Sequence, residues 1–86
     1  MEAANLKQQG VKPGVPDIFL PVARKGFHGL YIELKRAKGG TVSKAQQEML
    51  IALRCEGYAV EVCYGCEEAV RVLEGYLRDE REKING

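Results

Sequence analysis

Several things are scarce in this chain, and each absence excludes a class of protein. No apolar run approaches the roughly 18 residues that a membrane-spanning helix needs, so no membrane segment is expected. The N-terminus has no basic stretch followed by an apolar block, so no secretory signal is expected and the protein is placed in the cytoplasm. There are only three cysteines, Cys55, Cys63 and Cys66. An odd count in a short chain without a leader argues against a disulfide framework and for reduced thiols. There is one histidine, His28, and no second C-x-x-C beside Cys63-Tyr64-Gly65-Cys66. That string leaves open a thiol-redox or zinc-binding domain, but packing and helix capping explain it with fewer assumptions. His28 likewise reads more simply as a solvated or locally bonded residue than as a ligand. No repeat, low-complexity segment or internal linker is visible, and 86 residues suffice for one domain spanning 1–86.

Charge is present in both signs but unevenly. The net charge is +1. Residues 1–54 hold nine Lys/Arg against four Asp/Glu, and residues 55–86 hold four against eight. The first half therefore carries +5 and the second −4. A basic half attracts a polyanion even when the whole chain is near neutral. Lys7, Lys12, Arg24, Lys25, Lys35, Arg36, Lys38 and Lys44 supply it, and scattered solvated charge is the alternative.

Periodicity predicts the elements. Residues 3–9 suit a short helix that Gly10 ends, and Pro13, Gly14 and Pro16 keep the next segment irregular. Residues 17–22 read as a short strand with Pro21 near its end. Residues 23–27 read as a hairpin loop in which Gly26 is free to take positive φ. Residues 28–36 alternate cleanly: Leu30, Ile32 and Leu34 face one way, and Tyr31, Glu33 and Lys35 the other. Ser43 to Gln46 fits a capping box at the start of a helix running to about Glu56, with Ala45, Met49, Leu50 and Leu53 inward. Gly57 stops it. Residues 58–63 form a third strand, and residues 66–82 a final helix with Ala69, Val70, Leu73, Tyr76 and Leu77 as its apolar stripe. The order is α-β-β-α-β-α. The first two strands pair antiparallel and the crossover makes the third parallel. The fold class is α/β (α+β), a small mixed sheet flanked by helices.

The chemistry is concentrated in Pro16-Asp17 and, sixteen residues on, Glu33-Leu34-Lys35. A chain reversal near Lys25 sets Asp17 opposite positions 33–34, where Cβ atoms of paired residues lie about 4.5–5.5 Å apart. Glu33 and Lys35 share a face. Two close carboxylates repel each other, and a hard divalent cation relieves that repulsion. The backbone carbonyl of Leu34 is a further candidate ligand. Such an ion supports phosphoryl chemistry, with Lys35 orienting the attacking water, assisting its deprotonation or stabilising the transition state. The same pattern also suits a surface hairpin with an ordinary charge cluster. Tyr31 shares this face and either lines the site or packs under a helix.

Gly14-Val15-Pro16-Asp17-Ile18 followed by Glu33-Leu34-Lys35 resembles the PD-(D/E)XK nuclease motif. With Gly10-Val11-Lys12, Gly29 to Lys35, Gly39-Gly40, Ser43, Gln46, Gly57-Tyr58 and Val60-Glu61-Val62, the chain is similar to the virus-type replication-repair nuclease (VRR-NUC) branch over residues 10–77. The resemblance implies a restriction-endonuclease-like core and a Mg²⁺- or Mn²⁺-dependent phosphodiesterase acting on DNA. It maps Asp17 and Glu33 onto the metal ligands, Lys35 onto the catalytic lysine, and Gln46 onto a supporting glutamine that the capping box explains equally well. Lys12, Arg24, Lys25, Arg36, Lys38 and Lys44 are the candidate DNA contacts. Larger relatives carry an acidic ligand before the PD segment. Here the one acid preceding Asp17 is Glu2, and it is not assigned. The short form resembles stand-alone viral or bacterial members, which are dimeric and cut branched DNA such as four-way junctions. A homodimer in a bacterial or phage-infected cell is therefore expected, acting in DNA repair. A DNA-binding module that keeps the fold without cutting is the competing function.

Overall fold

The computed structural model describes residues 14–78. The helix expected over residues 3–9, with Lys12 and Glu2, lies outside them. Within them the order is β1 (Ile18–Leu20), β2 (Leu30–Lys35), α1 (Lys44–Cys55), β3 (Ala59–Tyr64) and α2 (Cys66–Leu77). Each element predicted within the described residues is found, most of them trimmed. The first strand stops at Leu20 because Pro21 has no N–H to donate to the ladder, and the Val22 N–H turns back to the Leu20 carbonyl. The final helix ends at Leu77, five residues before the expected 82, where Arg78 leaves helical geometry.

β2 is the central strand. It pairs antiparallel with β1 in the register Ile18 to Ile32, and parallel with β3 in the register Glu33 to Val62. The mixed three-stranded sheet, antiparallel then parallel, is the expected topology. Its alternating side chains divide the core in two. Leu30, Ile32 and Cys63 pack against Ala69, Val72, Leu73 and Tyr76 of α2. On the other face Tyr31 and Val60 pack against Leu50 and Leu53 of α1, with Phe19, Val42, Tyr58 and Val62 around them. The helices therefore lie on opposite faces of the sheet, and Glu33 and Lys35 are on the α1 face. Tyr31 is fully buried under α1, stacked on Phe19 at 4.4 Å between centroids.

One packing expectation is corrected. Val70 and Leu77 are exposed, at 50% and 41%. The inward stripe is Ala69, Val72, Leu73 and Tyr76, spaced 3, 1 and 3. The Tyr76 hydroxyl fixes this rotation, since it donates to the Val22 carbonyl at 2.6 Å.

The reversal between β1 and β2 is tight. Arg24 and Phe27 exchange both backbone hydrogen bonds, and the two residues between them, Lys25 (φ 53°) and Gly26 (φ 87°), are both left-handed. That is the two-residue hairpin geometry that follows strand twist. It holds the Lys25 ammonium against the end of α2, where Nζ donates to the carbonyls of Gly75 (2.9 Å), Tyr76 (3.4 Å) and Arg78 (2.9 Å). A cation on the last carbonyls of a helix complements its dipole.

Candidate active site

The site forms where β2 leaves the sheet and α1 begins. The antiparallel register continues one step past β1, so Asp17 falls opposite Glu33. Asp17 is exposed, and its Oδ2 accepts the Leu34 N–H at 2.9 Å. This bond replaces the ladder hydrogen bond that β1 is too short to make. The Gly29 carbonyl accepts from Ala59 of β3 and the Lys35 carbonyl from Gly65 just past it, so the alternate residue Leu34 turns both its N–H and its carbonyl toward Asp17. The carbonyl singled out in the sequence thus lies on the Asp17 side of the strand.

Glu33 is only 2% exposed. Its Oε2 accepts from Gln46 Nε2 at 2.9 Å and lies 3.3 Å from Lys35 Nζ. Lys35 Nζ in turn donates to Gln46 Oε1 at 2.8 Å. Gln46 therefore presents one end of its amide to each of the two charged groups. It reaches them because Ser43 starts α1 with a complete capping box: Ser43 Oγ accepts the Gln46 N–H at 3.1 Å, and Gln46 Oε1 accepts the Ser43 N–H at 2.9 Å. The capping box and the bonds to Glu33 and Lys35 coexist on the one Gln46 side chain.

The remaining oxygen of Glu33 matters most. Oε1 is buried and has no hydrogen-bond partner. Such an atom is costly unless something compensates it. Burial pushes the Glu33 pKa above the ordinary carboxylate value. The charge of the neighbouring Asp17 pushes it further. Lys35 pulls the other way. Two carboxylates whose charges crowd each other are relieved by a cation between them. The two acids and the Leu34 carbonyl are hard oxygen donors, which fit Mg²⁺ or Mn²⁺. Among the described residues no group of three or more His, Cys, Asp or Glu side chains forms a metal cage.

The other predicted residues divide by position. Arg36 and Lys38 follow β2 directly and Lys44 opens α1, so all three are exposed at the same end of the sheet as the acids. Arg24 and Lys25 sit at the hairpin tip, the opposite end of β2, and Lys25 is held by α2. His28 is exposed, with its ring edge-on to Tyr58 at 5.8 Å. Cys63 is fully buried, its thiol pushed up chiefly by that burial, while Cys66 and Cys55 are exposed. No described helix is long and apolar enough to cross a membrane.

The fold is thus a mixed sheet between two helices, with two acids and a lysine where its central strand ends. A family model described as the VRR-NUC domain matches residues 1–67 of the 86, and the chain belongs to that family. A solved structure titled VRR_NUC domain protein is similar at 38% identity and a TM-score of 0.76, over 90% of this chain and 63% of its own. This chain thus spans less than two thirds of the length of that relative. No curated protein matches it.

Proposed function

We propose that this domain is a divalent-metal-dependent endonuclease that hydrolyses DNA phosphodiester bonds, with branched DNA such as four-way junctions as its substrate and a homodimer as its working form. The observation that carries the reading is the buried, unpartnered Oε1 of Glu33 beside the Asp17 carboxyl, with an ammonium 3.3 Å from the other Glu33 oxygen. Asp17, Glu33 and the Leu34 carbonyl would hold Mg²⁺ or Mn²⁺. When bound, the ion supplies charge neutralisation between the acids and the Lewis acidity that phosphodiester hydrolysis draws on.

The chain's own residues do the rest. Asp17 bonds the backbone of the strand that carries Glu33, so the two acids keep a fixed separation. Gln46 orients both Glu33 and Lys35. Lys35 is 16% exposed, enough to meet a phosphate or an attacking water from solvent while staying anchored. Its positive charge stabilises the negative charge that develops on the phosphoryl group. Arg36, Lys38 and Lys44 surround this end of the sheet and would hold the flanking phosphates, with Arg24 and Lys25 as more distant contacts and Lys12 as a further candidate. An active acid pair distinguishes this reading from a non-cutting DNA-binding module, because bringing two carboxylates to a phosphate backbone opposes binding.

The test is cleavage of labelled four-way junction, flap and linear duplex DNA by the wild type and Asp17→Ala, with and without Mn²⁺. Metal-dependent cutting, strongest on the junction and absent in Asp17→Ala, is expected. An Asp17→Ala variant as active as the wild type would remove the acid pair from the reaction.

A further inference from the structure

A glutamine amide has nearly the same shape when its oxygen and nitrogen exchange places, so something must choose its orientation. At Gln46 three contacts do so: Lys35 Nζ and the Ser43 N–H both donate to Oε1, and Nε2 donates to Glu33. The first and third belong to groups that the proposed reaction engages elsewhere. A cation between the acids draws on Glu33, and a phosphate draws on Lys35. The Ser43 N–H faces neither. It belongs to a backbone held at φ −70°, ψ 166°, ahead of a 12-residue helix. It is the one contact of the three that neither a cation between the acids nor a phosphate on Lys35 would draw away.

Resting on the nuclease reading above, we infer that Ser43 is a positioning residue of the site: its backbone N–H fixes the Gln46 amide, and its hydroxyl fixes the Gln46 backbone, so that Glu33 and Lys35 stay registered when metal and DNA bind. Both halves of the grip act on one residue. Ser43 Oγ accepts the Gln46 N–H at 3.1 Å and sets where the side chain starts, and the Ser43 N–H reaches Oε1 at 2.9 Å and sets where it ends. The helix cap and the catalytic network thus share an atom, Gln46 Oε1. An ordinary cap would stabilise α1 and leave turnover per folded molecule unchanged. This one sets the geometry of two charged groups, and small misplacements of such groups cost large factors in rate.

Three variants separate the contributions. Ser43→Thr keeps both the hydroxyl and the N–H. Ser43→Ala keeps the N–H alone. Ser43→Pro removes both, and proline tolerates the observed φ of −70°. Two readouts apply to the full chain. The first is the Gln46 side-chain amide in ¹⁵N-correlated NMR without metal or DNA, which does not depend on cleavage. A fixed amide with slowed proton exchange is expected in the wild type and Ser43→Thr, with faster exchange in Ser43→Ala and the fastest in Ser43→Pro, where the Lys35 and Glu33 contacts alone remain. The second is cleavage kinetics at a temperature where urea titration shows each variant folded. There kcat should fall about tenfold in Ser43→Ala and about a hundredfold in Ser43→Pro, with KM within about twofold and Ser43→Thr close to wild type. An unchanged Gln46 amide in Ser43→Pro, or in Ser43→Ala if the proline variant does not fold, overturns the inference. So does a kcat loss that vanishes once corrected for the folded fraction. A wild type that fails to cut defeats the nuclease reading instead, and the NMR series still decides whether Ser43 orients Gln46.

Discussion

Replacing Gly14 by alanine measures how tightly the segment leading to Asp17 is pressed against the helix that carries Gln46. Gly14 has φ 87°, and a β-carbon there would lie 2.6 Å from the Ala45 carbonyl oxygen, 2.8 Å from its carbon and 3.0 Å from the Gln46 nitrogen. All three are backbone atoms of the first turn of α1, so no side chain can swing aside. The left-handed backbone alone costs a residue with a β-carbon about 1–2 kcal/mol, and overpacking against a fixed neighbour adds about 1–3 kcal/mol. The expected loss is therefore about 2–5 kcal/mol, a large part of the stability of a small domain. Gly39 is the control: its φ is 80°, but a β-carbon there meets nothing within 4 Å. Gly39→Ala should cost the backbone part alone, about 1–2 kcal/mol. Urea titration of both variants, with unchanged m-values, gives the difference. Because the obstruction sits between Asp17 and Gln46, Gly14→Ala should also lose turnover per folded molecule. Equal destabilisation by the two substitutions would refute the close approach, and with it the idea that the PD segment is braced on α1.

Two further perturbations probe the frame and the site. Lys25→Met removes three donations to the last carbonyls of α2 and should lower stability by about 1 kcal/mol. An unchanged urea midpoint would show that the hairpin tip does not clamp that helix. Glu33 has a folded pKa raised mainly by burial. Its unfolded form ionises first, so its contribution to metal-free stability is fully present below the ordinary carboxylate pKa and is lost as pH rises through the folded value. Glu33→Gln should therefore gain stability relative to wild type across that rise while losing cleavage. A stability difference that does not move with pH would contradict the buried, charge-crowded carboxyl.

The hairpin register was legible because the loop centre and the Leu-Tyr-Ile-Glu-Leu-Lys alternation leave little freedom. Ile18 pairs with Ile32, which puts Asp17 where a reversal near Lys25 requires. The capping box was legible from the spacing of Ser43 and Gln46. What stayed hidden depends on contacts between residues far apart in the chain. The stripe of α2 is ambiguous because Val70, Val72, Leu73, Tyr76 and Leu77 allow two rotations, and only the Tyr76 bond to Val22, 54 positions away, decides between them. Lys25 reads as a free surface cation until α2 arrives beneath it, 50 positions on. The open edge of β3 follows the same rule. Arg54 donates to the Val60 carbonyl at 3.1 Å, and Glu68 accepts the Tyr64 N–H at 2.8 Å. These two helix side chains occupy edge groups that would otherwise invite another strand, and no local pattern announces them.

Mn²⁺ binding, followed by loss of the free-ion EPR signal on titration with protein, tests most directly whether the two acids make a cation site. One ion per chain is predicted for the wild type, with affinity reduced at least about tenfold in both Asp17→Ala and Glu33→Gln. Binding of equal strength in all three proteins would contradict the account.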